Sequence, residues 1–349
     1  MSNRDDFPQA VKVVIAQRAG FRCSFPTCCI TTVGPSEETE TSIAHSGMAC
    51  HISAASPGVG ARRYRPDMTS EERKSASNGI WMCYTHGKLI DTDENRFTIE
   101  RLKKWKEIAE FRAQFIHEHG DKITINPIDI QHITLPSLTI KLNGLGIENI
   151  TIGEAIDDSC MCQIWGEDTA NSIRDVAIEV CRNAFTHGNA TLFELIIEPD
   201  RLRLIDNGNE FNLQDLLDSE NKSGGSLSLR NLANNNSIIL ISDRDKNNNQ
   251  YTFSYITDGS QILKLTPCAI KFDNITILRR KIPFEIYKPC KEIFIIVSRY
   301  VSYSDIFLFK KLIIDLKINE DKITIAISAS CGVTKEFREA YPNARVIII

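Results

Sequence analysis

The sequence lacks a strong charge of either sign. Its 349 residues carry 41 Lys and Arg against 45 Asp and Glu, a formal net charge of −4 at pH 7. Without an overall basic field, any contact with nucleic-acid phosphate must be local. Two basic clusters qualify. The loop of Arg62, Arg63 and Arg65 is the stronger candidate, whereas the basic residues from Arg101 to Lys106 are also typical of a solvated helix face.

The sequence also lacks an apolar run near the roughly 20 residues that cross a bilayer. Its first residues have no apolar core of a signal peptide. Its eleven cysteines are an odd number spread along a long chain, which is unlike a secreted disulfide scaffold. These absences predict a cytoplasmic protein without membrane contact. The length allows two or three domains, each with its own core.

The first 120 residues predict short elements around a set of cysteines. Apolar spacing, capping residues and terminating glycines set their bounds. The predicted elements are a helix over 8–20, a strand or hairpin over 41–53, a short helix over 70–75 and a long amphipathic helix over 99–119.

Two local pairs of potential metal ligands lie far apart in this region. Cys23 and Cys28 form the first pair, and Cys83 and His86 form the second. Three thiolates and one imidazole in two closely spaced pairs are a ligand set of tetrahedral zinc. The sequence therefore predicts a structural zinc ion. Cys29, adjacent to Cys28, stays open as the alternative ligand.

His51 lies between these pairs after an apolar lead-in, and Asn78 lies just before the second pair. This order of residues, together with the sequence that flanks them, resembles the HNH endonucleases over residues 1–110. The similar subgroup is fused to many partner domains in bacterial defence genes. The resemblance implies a ββα-metal fold in which His51 deprotonates water, Asn78 holds His51 or its strand, and a divalent ion stabilises the leaving 3′ oxygen. The simpler alternative is a purely structural zinc ribbon.

Two positions depart from the HNH pattern. Cys50 stands where many members carry a carboxylate or histidine for the catalytic metal, and Gly87 stands where others carry the last metal-binding histidine. Cys50 and Asp91 are the remaining candidates for that metal, with His45 a weaker one. A thiol favours Zn²⁺ or Ni²⁺ over Mg²⁺, and the choice among Mg²⁺, Mn²⁺, Ni²⁺ and Zn²⁺ stays open.

Residues 168–188 carry the clearest helical pattern of the chain, with apolar residues along one stripe. Glu179, Asn183 and His187 are four residues apart, which places them on one edge of that helix. Two predicted strands follow, the second ending at Asp206 and Gly208, and Gly224 and Gly225 then precede another helical pattern. Glycines at a helix start offer free N–H groups to phosphate.

This succession resembles the GHKL ATPase family of gyrase, Hsp90, MutL and histidine kinases, over residues 140–280. The resemblance implies an α/β sandwich that binds ATP with Mg²⁺. The implied roles are general base for Glu179, Mg²⁺ ligand for Asn183, a nucleotide contact for His187, adenine recognition for Asp206, close approach at Gly208, and phosphate binding by Gly224 and Gly225. Because Glu210 replaces a common glycine and the lid from Phe211 to Ser223 is short, ATP binding is better supported than hydrolysis.

The last segment alternates apolar runs with helical patterns. Strand, helix, strand, helix and strand in this order predict a small parallel α/β layer over residues 285–349. No phosphate loop or catalytic constellation accompanies it, so the sequence assigns this layer no activity.

The sequence thus predicts an α+β multidomain protein. Its parts are an HNH domain with structural zinc over 1–119, a linker over 120–137, a GHKL domain over 138–284 and a small α/β domain over 285–349. The functional hypothesis is an ATP-regulated, metal-dependent endonuclease that cleaves DNA, with RNA as the other candidate, in bacterial anti-phage defence. Expected partners are a second copy of the chain or a higher oligomer and a protein encoded in the same operon.

Two alternatives stay open at this point. In the first, the protein binds nucleic acid without cleaving it, and the GHKL domain is a nucleotide switch. In the second, it is a protein kinase of the anti-sigma-factor type, which the helix bearing Glu179, Asn183 and His187 favours.

Overall fold

A computed structural model of the chain describes residues 4–122, 124–127, 129–213, 224–234, 237–272, 284–317, 319–328 and 331–349. The chain divides into two compact units, Met1–Asn209 and Glu210–Ile349. Helices and strands are mixed in both units, which confirms the coarse prediction of an α+β protein with more than one unit. The finer domain boundaries drawn from sequence stay predictions.

The first unit begins with a head, residues 4–119, built from short elements around a small β-hairpin. Its elements are α1 (Gln9–Arg18), β1 (Val33–Pro35), β2 (Ile43–His45), β3 (Gly47–His51), α2 (Ser70–Lys74), β4 (Gly79–Cys83), α3 (Tyr84–Leu89) and α4 (Ile99–His119).

The β3–β4 hairpin gives the head its two sides. The strands are antiparallel, with His51 opposite Gly79 and Gly47 opposite Cys83. Successive strand residues point to opposite faces, so His51 shares a face with Ala49, whereas Cys50 lies on the other face. The end of β3 at His51 and the bounds of α4 agree with the sequence prediction.

The remainder of the first unit is a layer of helices and antiparallel strands. Its elements are β5 (Leu138–Leu142), α5 (Glu148–Asp158), α6 (Met161–Ile164), α7 (Glu167–Thr186), β6 (Phe193–Glu198) and β7 (Arg201–Asp206). β6 pairs with both β5 and β7. The apolar stripe of α7 is buried, from Ile173 to Ala184, as its helical spacing predicts.

The second unit holds a long hairpin and a parallel sheet. Its elements are α8 (Gly224–Asn234), β8 (Ile238–Asp245), β9 (Asn248–Tyr255), α9 (Gly259–Leu265), β10 (Ala269–Phe272), β11 (Ile293–Val297), α10 (Tyr303–Leu316), β12 (Ile323–Ile327), α11 (Thr334–Ala340) and β13 (Arg345–Ile348). β10 to β13 form one parallel sheet in that order. The predicted parallel layer is therefore confirmed, and it gains β10 from before residue 285.

One disulfide, between Cys268 and Cys290, lies in the second unit, and the other nine cysteines are free thiols. Among the described helices, none combines the length and apolarity that a membrane crossing requires. The cytoplasmic location stays a prediction.

Buried charges join the head to α5. Asp158, the last residue of α5, is 3% exposed. Its carboxylate lies 2.9 Å from Arg96 Nε and 3.1 Å from Arg101 Nη1, and its carbonyl accepts a hydrogen bond from the Trp105 indole at 2.8 Å. Burial raises the pKa of Asp158, and the charges of Arg96 and Arg101 oppose that shift. A buried charge left without its partner is costly, so this cluster fixes the head against α5.

We expect Asp158→Ala to destabilise the protein strongly. The substitution leaves the Arg101 guanidinium, itself in a residue 3% exposed, without its carboxylate. Breaking a buried ion pair from one side costs about 3–5 kcal/mol. Chemical denaturation of the full chain measures the loss.

Glu154→Ala is the matched control, because Glu154 pairs with Arg96 from a side chain that is 50% exposed. An exposed pair contributes about 0–1 kcal/mol. Equal destabilisation by the two substitutions contradicts the structural role of the buried cluster.

Candidate metal centre and active site

Four side chains converge where β4 runs into α3. The ligand atoms of Cys23, Cys28, Cys83 and His86 all lie within 4.8 Å of one another. His86 Nδ1 is 3.1 Å from Cys83 Sγ and 3.6 Å from Cys23 Sγ. Tetrahedral zinc, with bonds of about 2.3 Å to sulfur and about 2.0 Å to nitrogen, separates such atoms by roughly 3.6 Å. This Cys3His cluster can therefore bind a metal ion such as zinc.

The backbone brings the two ligand pairs together. Cys23 donates its N–H to Ile30, and Ser24 donates to the Trp81 carbonyl in β4, at 2.9 Å each. The cluster contains Cys28 rather than Cys29, which settles the alternative left open by the sequence. The Cys29 thiol instead faces the Pro26 carbonyl and the Arg112 guanidinium.

Without a metal ion, burial disfavours the charged forms of these side chains, the thiolates and the imidazolium. Desolvation raises the pKa of Cys23 to about 12 and also raises the pKa of Cys28. It lowers the pKa of His86, whose ring stacks on Phe25 at 4.0 Å. A divalent cation reverses the preference of the thiols, because it binds thiolate and releases the proton.

His51 ends β3 in a half-buried position between the hairpin and the N-terminal segment. Its Nε2 lies 3.1 Å from the Asp5 carbonyl oxygen, and its ring stacks on Phe7 with centroids 3.8 Å apart. Burial lowers the pKa of His51, and the hydrogen bond to Asp5 opposes this shift. A lowered pKa favours the neutral imidazole at pH 7, which is the form that accepts a proton.

Asn78 is hydrogen-bonded to the segment that follows His51. Its amide accepts a hydrogen bond from the Ser53 N–H at 2.9 Å and donates to the Ser53 and Arg73 carbonyls at 2.9 and 3.1 Å. Its own carbonyl accepts from the Ile52 N–H at 2.8 Å. Asn78 therefore holds the backbone beyond His51. Its contacts are with backbone groups and not with the imidazole.

The candidate ligands for a catalytic metal do not assemble a site. Cys50 is 5% exposed, and burial raises the pKa of its thiol far above the usual value. A Cβ at Gly87 would lie 2.9 Å from Cys50 Sγ, so a larger residue cannot replace that glycine without a shift. Asp91 pairs with Arg63 at 2.7 Å, and His45 is exposed at the edge of Trp81. Among the described residues, only the Cys3His cluster groups three or more such ligands.

The three loop arginines have different surroundings. The Arg63 side chain is 3% exposed, and it donates to the Ile52 and Ile90 carbonyls at 2.8 and 2.6 Å. A guanidinium so enclosed is not presented to a phosphate, so the structure favours a structural role for Arg63 over the predicted contact. Arg62 donates to the Asp91 carbonyl at 3.2 Å, and Arg65 pairs with Asp67 at the surface. The predicted phosphate contacts of Arg62 and Arg65 stay predictions.

The predicted nucleotide residues of the first unit lie in the second half of α7, just after its end, at the end of β7 and in the turn that follows β7. Glu179 and Asn183 are half-buried, and His187 is exposed at the helix end. Glu179 Oε1 lies 3.2 Å from Arg182 Nη1. The Asn183 carbonyl accepts hydrogen bonds from the His187 and Gly188 N–H groups at 2.9 Å.

The Asp206–Gly208 turn lies against the end of α7. Asp206 is 3% exposed, and its Oδ1 accepts from the Gly208 N–H at 2.9 Å. The Gly188 carbonyl accepts from Asn209 at 2.7 Å, which ties the two segments together. A Cβ at Gly208 would lie 2.8 Å from that carbonyl. The glycine is therefore required by close backbone approach.

Gly224 and Gly225, the predicted phosphate-binding pair, begin α8 in the second unit. The glycine-initiated helix predicted here is confirmed. The role of the two residues stays a prediction.

Sequence reasoning missed two neighbours of His51. Asp5 and Phe7 lie in the first residues of the chain, far from His51 in sequence, and only the fold brings them to the ring. The alternation of an acidic and an aromatic residue ahead of α1 carries no signal for such a contact.

The comparison with solved structures gives a likeness at low sequence identity. The chain is similar to a solved structure titled "Histidine kinase domain from Erythrobacter litoralis EL346 blue-light activated histidine kinase", at 14% identity. The match covers 49% of this chain and 83% of that chain, with a TM-score of 0.22. That score is too low to establish a shared fold. No family model matches, and no curated protein matches.

We expect Cys83→Ser to lose the bound metal and most of the stability of the head. Loss of one ligand from a structural zinc site removes binding energy that is also folding energy. Elemental analysis of the purified wild-type chain should find about one zinc per chain, the stoichiometry of a single four-ligand site. Thermal unfolding with and without chelator measures how far metal binding stabilises the head.

Cys29→Ser is the control, since Cys29 is adjacent to a ligand but lies outside the cluster. We expect it to keep the metal. Retention of zinc by Cys83→Ser, or its loss from Cys29→Ser, contradicts the assignment of the four ligands.

Proposed function

We propose that this protein is an HNH-type endonuclease that acts on DNA in bacterial defence against phage and is regulated by ATP. The observation that carries the proposal is the position of His51. It ends a hairpin strand whose partner strand carries Cys83 of the Cys3His cluster, and Asn78 holds the chain that follows it. This combination agrees with the order of residues that resembles the HNH family.

The proposed chemistry is hydrolysis of a phosphodiester. Neutral His51 takes a proton from water, the water oxygen attacks phosphorus, and the 3′ oxygen leaves. The predicted divalent ion would stabilise the charge on that leaving oxygen. Because Cys50 and Asp91 do not assemble a ligand set with a third described residue, no step is assigned through such an ion. The proposed zinc ion of the Cys3His cluster has a structural role.

The proposed nucleotide site uses the end of α7 and the turn after β7. Asn183 supplies an amide that binds Mg²⁺, and Asp206 supplies a buried carboxylate that accepts from the adenine amino group. Gly208 has no side chain, so the backbone can approach closely at this position. Glu179 is the proposed base for ATP hydrolysis. Its contact with Arg182 leaves binding better supported than hydrolysis.

α5 supports the proposed regulation, because it contacts both α7 and the head. At its first residue, Glu148 lies 3.1 Å from Arg182, the residue before Asn183. At its last residue, Asp158 binds Arg96 and Arg101 of the head. A displacement at the end of α7 can therefore reach the head through one helix of 11 residues. A rigid element with a contact at each end is one physical means of coupling two sites.

The second candidate is a nucleic-acid-binding protein without cleavage, in which the nucleotide module is a switch for a partner. The incomplete ligand set around Cys50 and Asp91 favours it. Cleavage of nucleic acid separates the two candidates.

We expect the full chain to nick supercoiled plasmid, and His51→Ala to abolish nicking without unfolding the head. The test uses Mg²⁺, Mn²⁺ and Ni²⁺ in turn, each with and without ATP, and an RNA substrate in parallel. His119→Ala is the control, since His119 lies at the exposed end of α4. Unchanged nicking by His51→Ala removes this residue from the mechanism. Absence of nicking by the wild type in every condition favours the second candidate.

We expect Glu148→Gln to reduce the effect of ATP on nicking and to leave the nucleotide-free rate unchanged. The substitution removes the ion pair between α5 and Arg182 while it keeps the shape of the side chain. Coupling energies between sites are typically about 1–3 kcal/mol. The measured quantity is the ratio of rates with and without ATP, which should move toward one.

Glu154→Gln is the control for this prediction, because Glu154 lies on α5 but pairs with Arg96 from a half-exposed position. A normal ATP effect in Glu148→Gln rules out the contact with Arg182 as the route of regulation.

A further inference from the structure

The N-terminal segment, residues 4–7, lies against the candidate catalytic histidine. Asp5 and Phe7 are buried at 8% and 4% exposure, whereas Arg4 and Asp6 point outward and form an exposed ion pair. The two buried residues are the ones that contact His51. The alternation shows that one face of this segment is built against the head.

The hydrogen bond from His51 to Asp5 determines where the imidazole proton lies. The partner of Nε2, at 3.1 Å, is a backbone carbonyl oxygen. A carbonyl oxygen only accepts, so Nε2 must donate and therefore carries the proton. In the neutral ring the other nitrogen, Nδ1, then holds the lone pair. Nδ1 has no hydrogen-bond partner among the residues described.

Four further contacts hold the segment in place. The Asp5 N–H donates to the Ala55 carbonyl at 3.1 Å. The Asp5 carboxylate accepts from Ser70 Oγ at 2.5 Å and pairs with Lys74 at 3.1 Å and Arg73 at 3.4 Å. These contacts fix the carbonyl that faces His51.

Gly79 makes room for the stack on the imidazole. It lies opposite His51 in the hairpin. A Cβ at this position would lie 2.2 Å from Ile15 Cδ1 and 3.2 Å from Phe7 Cζ. The absent side chain leaves room for Phe7, whose ring lies parallel to the imidazole within 7°.

We propose that residues 4–7 are part of the active site, where the Asp5 carbonyl holds His51 with its proton on Nε2 and leaves Nδ1 as the nitrogen that takes a proton from water. The inference rests on the proposed nuclease function and adds to it the identity of the base nitrogen. Asp5 is a positioning residue, which acts through His51. Phe7 restricts rotation of the ring.

The test combines a spectroscopic and a kinetic measurement on the full chain. Histidines are labelled with ¹⁵N, and the signals of His51 are identified by their loss in His51→Gln. In the wild type we expect a pyrrole-type nitrogen at Nε2 and a pyridine-type nitrogen at Nδ1. Deletion of residues 2–6 should move the ¹⁵N chemical shifts of both ring nitrogens toward the average of the two tautomers. It should also lower kcat for nicking by about 10- to 100-fold with KM unchanged, by analogy with the loss of groups that orient metal-binding histidines.

Asp5→Ala is the second variant, in case the deletion fails to fold. It keeps the carbonyl but removes the carboxylate contacts with Ser70, Arg73 and Lys74, so we expect the same changes at smaller amplitude. Asp6→Ala is the control from the same segment, because Asp6 lies on its exposed side. It should change neither the nitrogen signals nor kcat.

The outcomes separate this inference from the proposed function. A proton on Nδ1 in the wild type overturns the inference while cleavage itself stands. So do unchanged nitrogen signals and an unchanged kcat in both the deletion of residues 2–6 and Asp5→Ala. Cleavage that survives in His51→Gln overturns the proposed function and the base role together. The nitrogen signals report on the position of the proton whether or not a substrate is cleaved.

Discussion

Convergence of the Cys3His ligands is the constraint on which the head depends. The strands of the head are three to five residues long, and such short elements bury little apolar surface against one another. The ligands Cys23 and Cys28 come from the turn after α1, whereas Cys83 and His86 come from β4 and α3. A metal ion bound by all four would close a long loop of chain and fix the hairpin that ends at His51.

The connection between head and helix layer depends on a different interaction. Asp158 is desolvated among arginines and an indole of the head, so α5 cannot move without disturbing that charge cluster. Its other end contacts α7 next to the proposed nucleotide residues. The same helix therefore has a buried attachment to the head at one end and a contact with α7 at the other, and in the proposed regulation a bound nucleotide would alter the second contact. A short, packed helix between two sites is a physical route for regulation that requires no change of fold.

Much of the local structure follows from local sequence signals. The bounds of α4, the end of β3 and the two ligand pairs are encoded by caps, apolar spacing and short-range chemistry, and sequence reasoning predicted them. The contacts of Asp5, Phe7 and Arg63 are long-range, and no spacing rule brings them to His51 or Ile52. Arg63 illustrates the limit: a cluster of arginines predicts a phosphate contact, but burial of one side chain depends on tertiary packing. β10 escaped prediction for the same reason, because a four-residue strand is defined by its partner.

The central proposal is that His51, on a hairpin that the Cys3His cluster would fix, cuts a phosphodiester under the control of a nucleotide bound in the same chain. Its most direct test is titration of a slowly hydrolysed ATP analogue, with nucleotide occupancy and plasmid nicking by the zinc-loaded full chain recorded in the same samples. The account predicts that the nicking rate changes in proportion to occupancy and reaches a plateau where binding saturates. Saturation of the nucleotide site with no change in nicking rate, or full occupancy with no nicking at all, would contradict it.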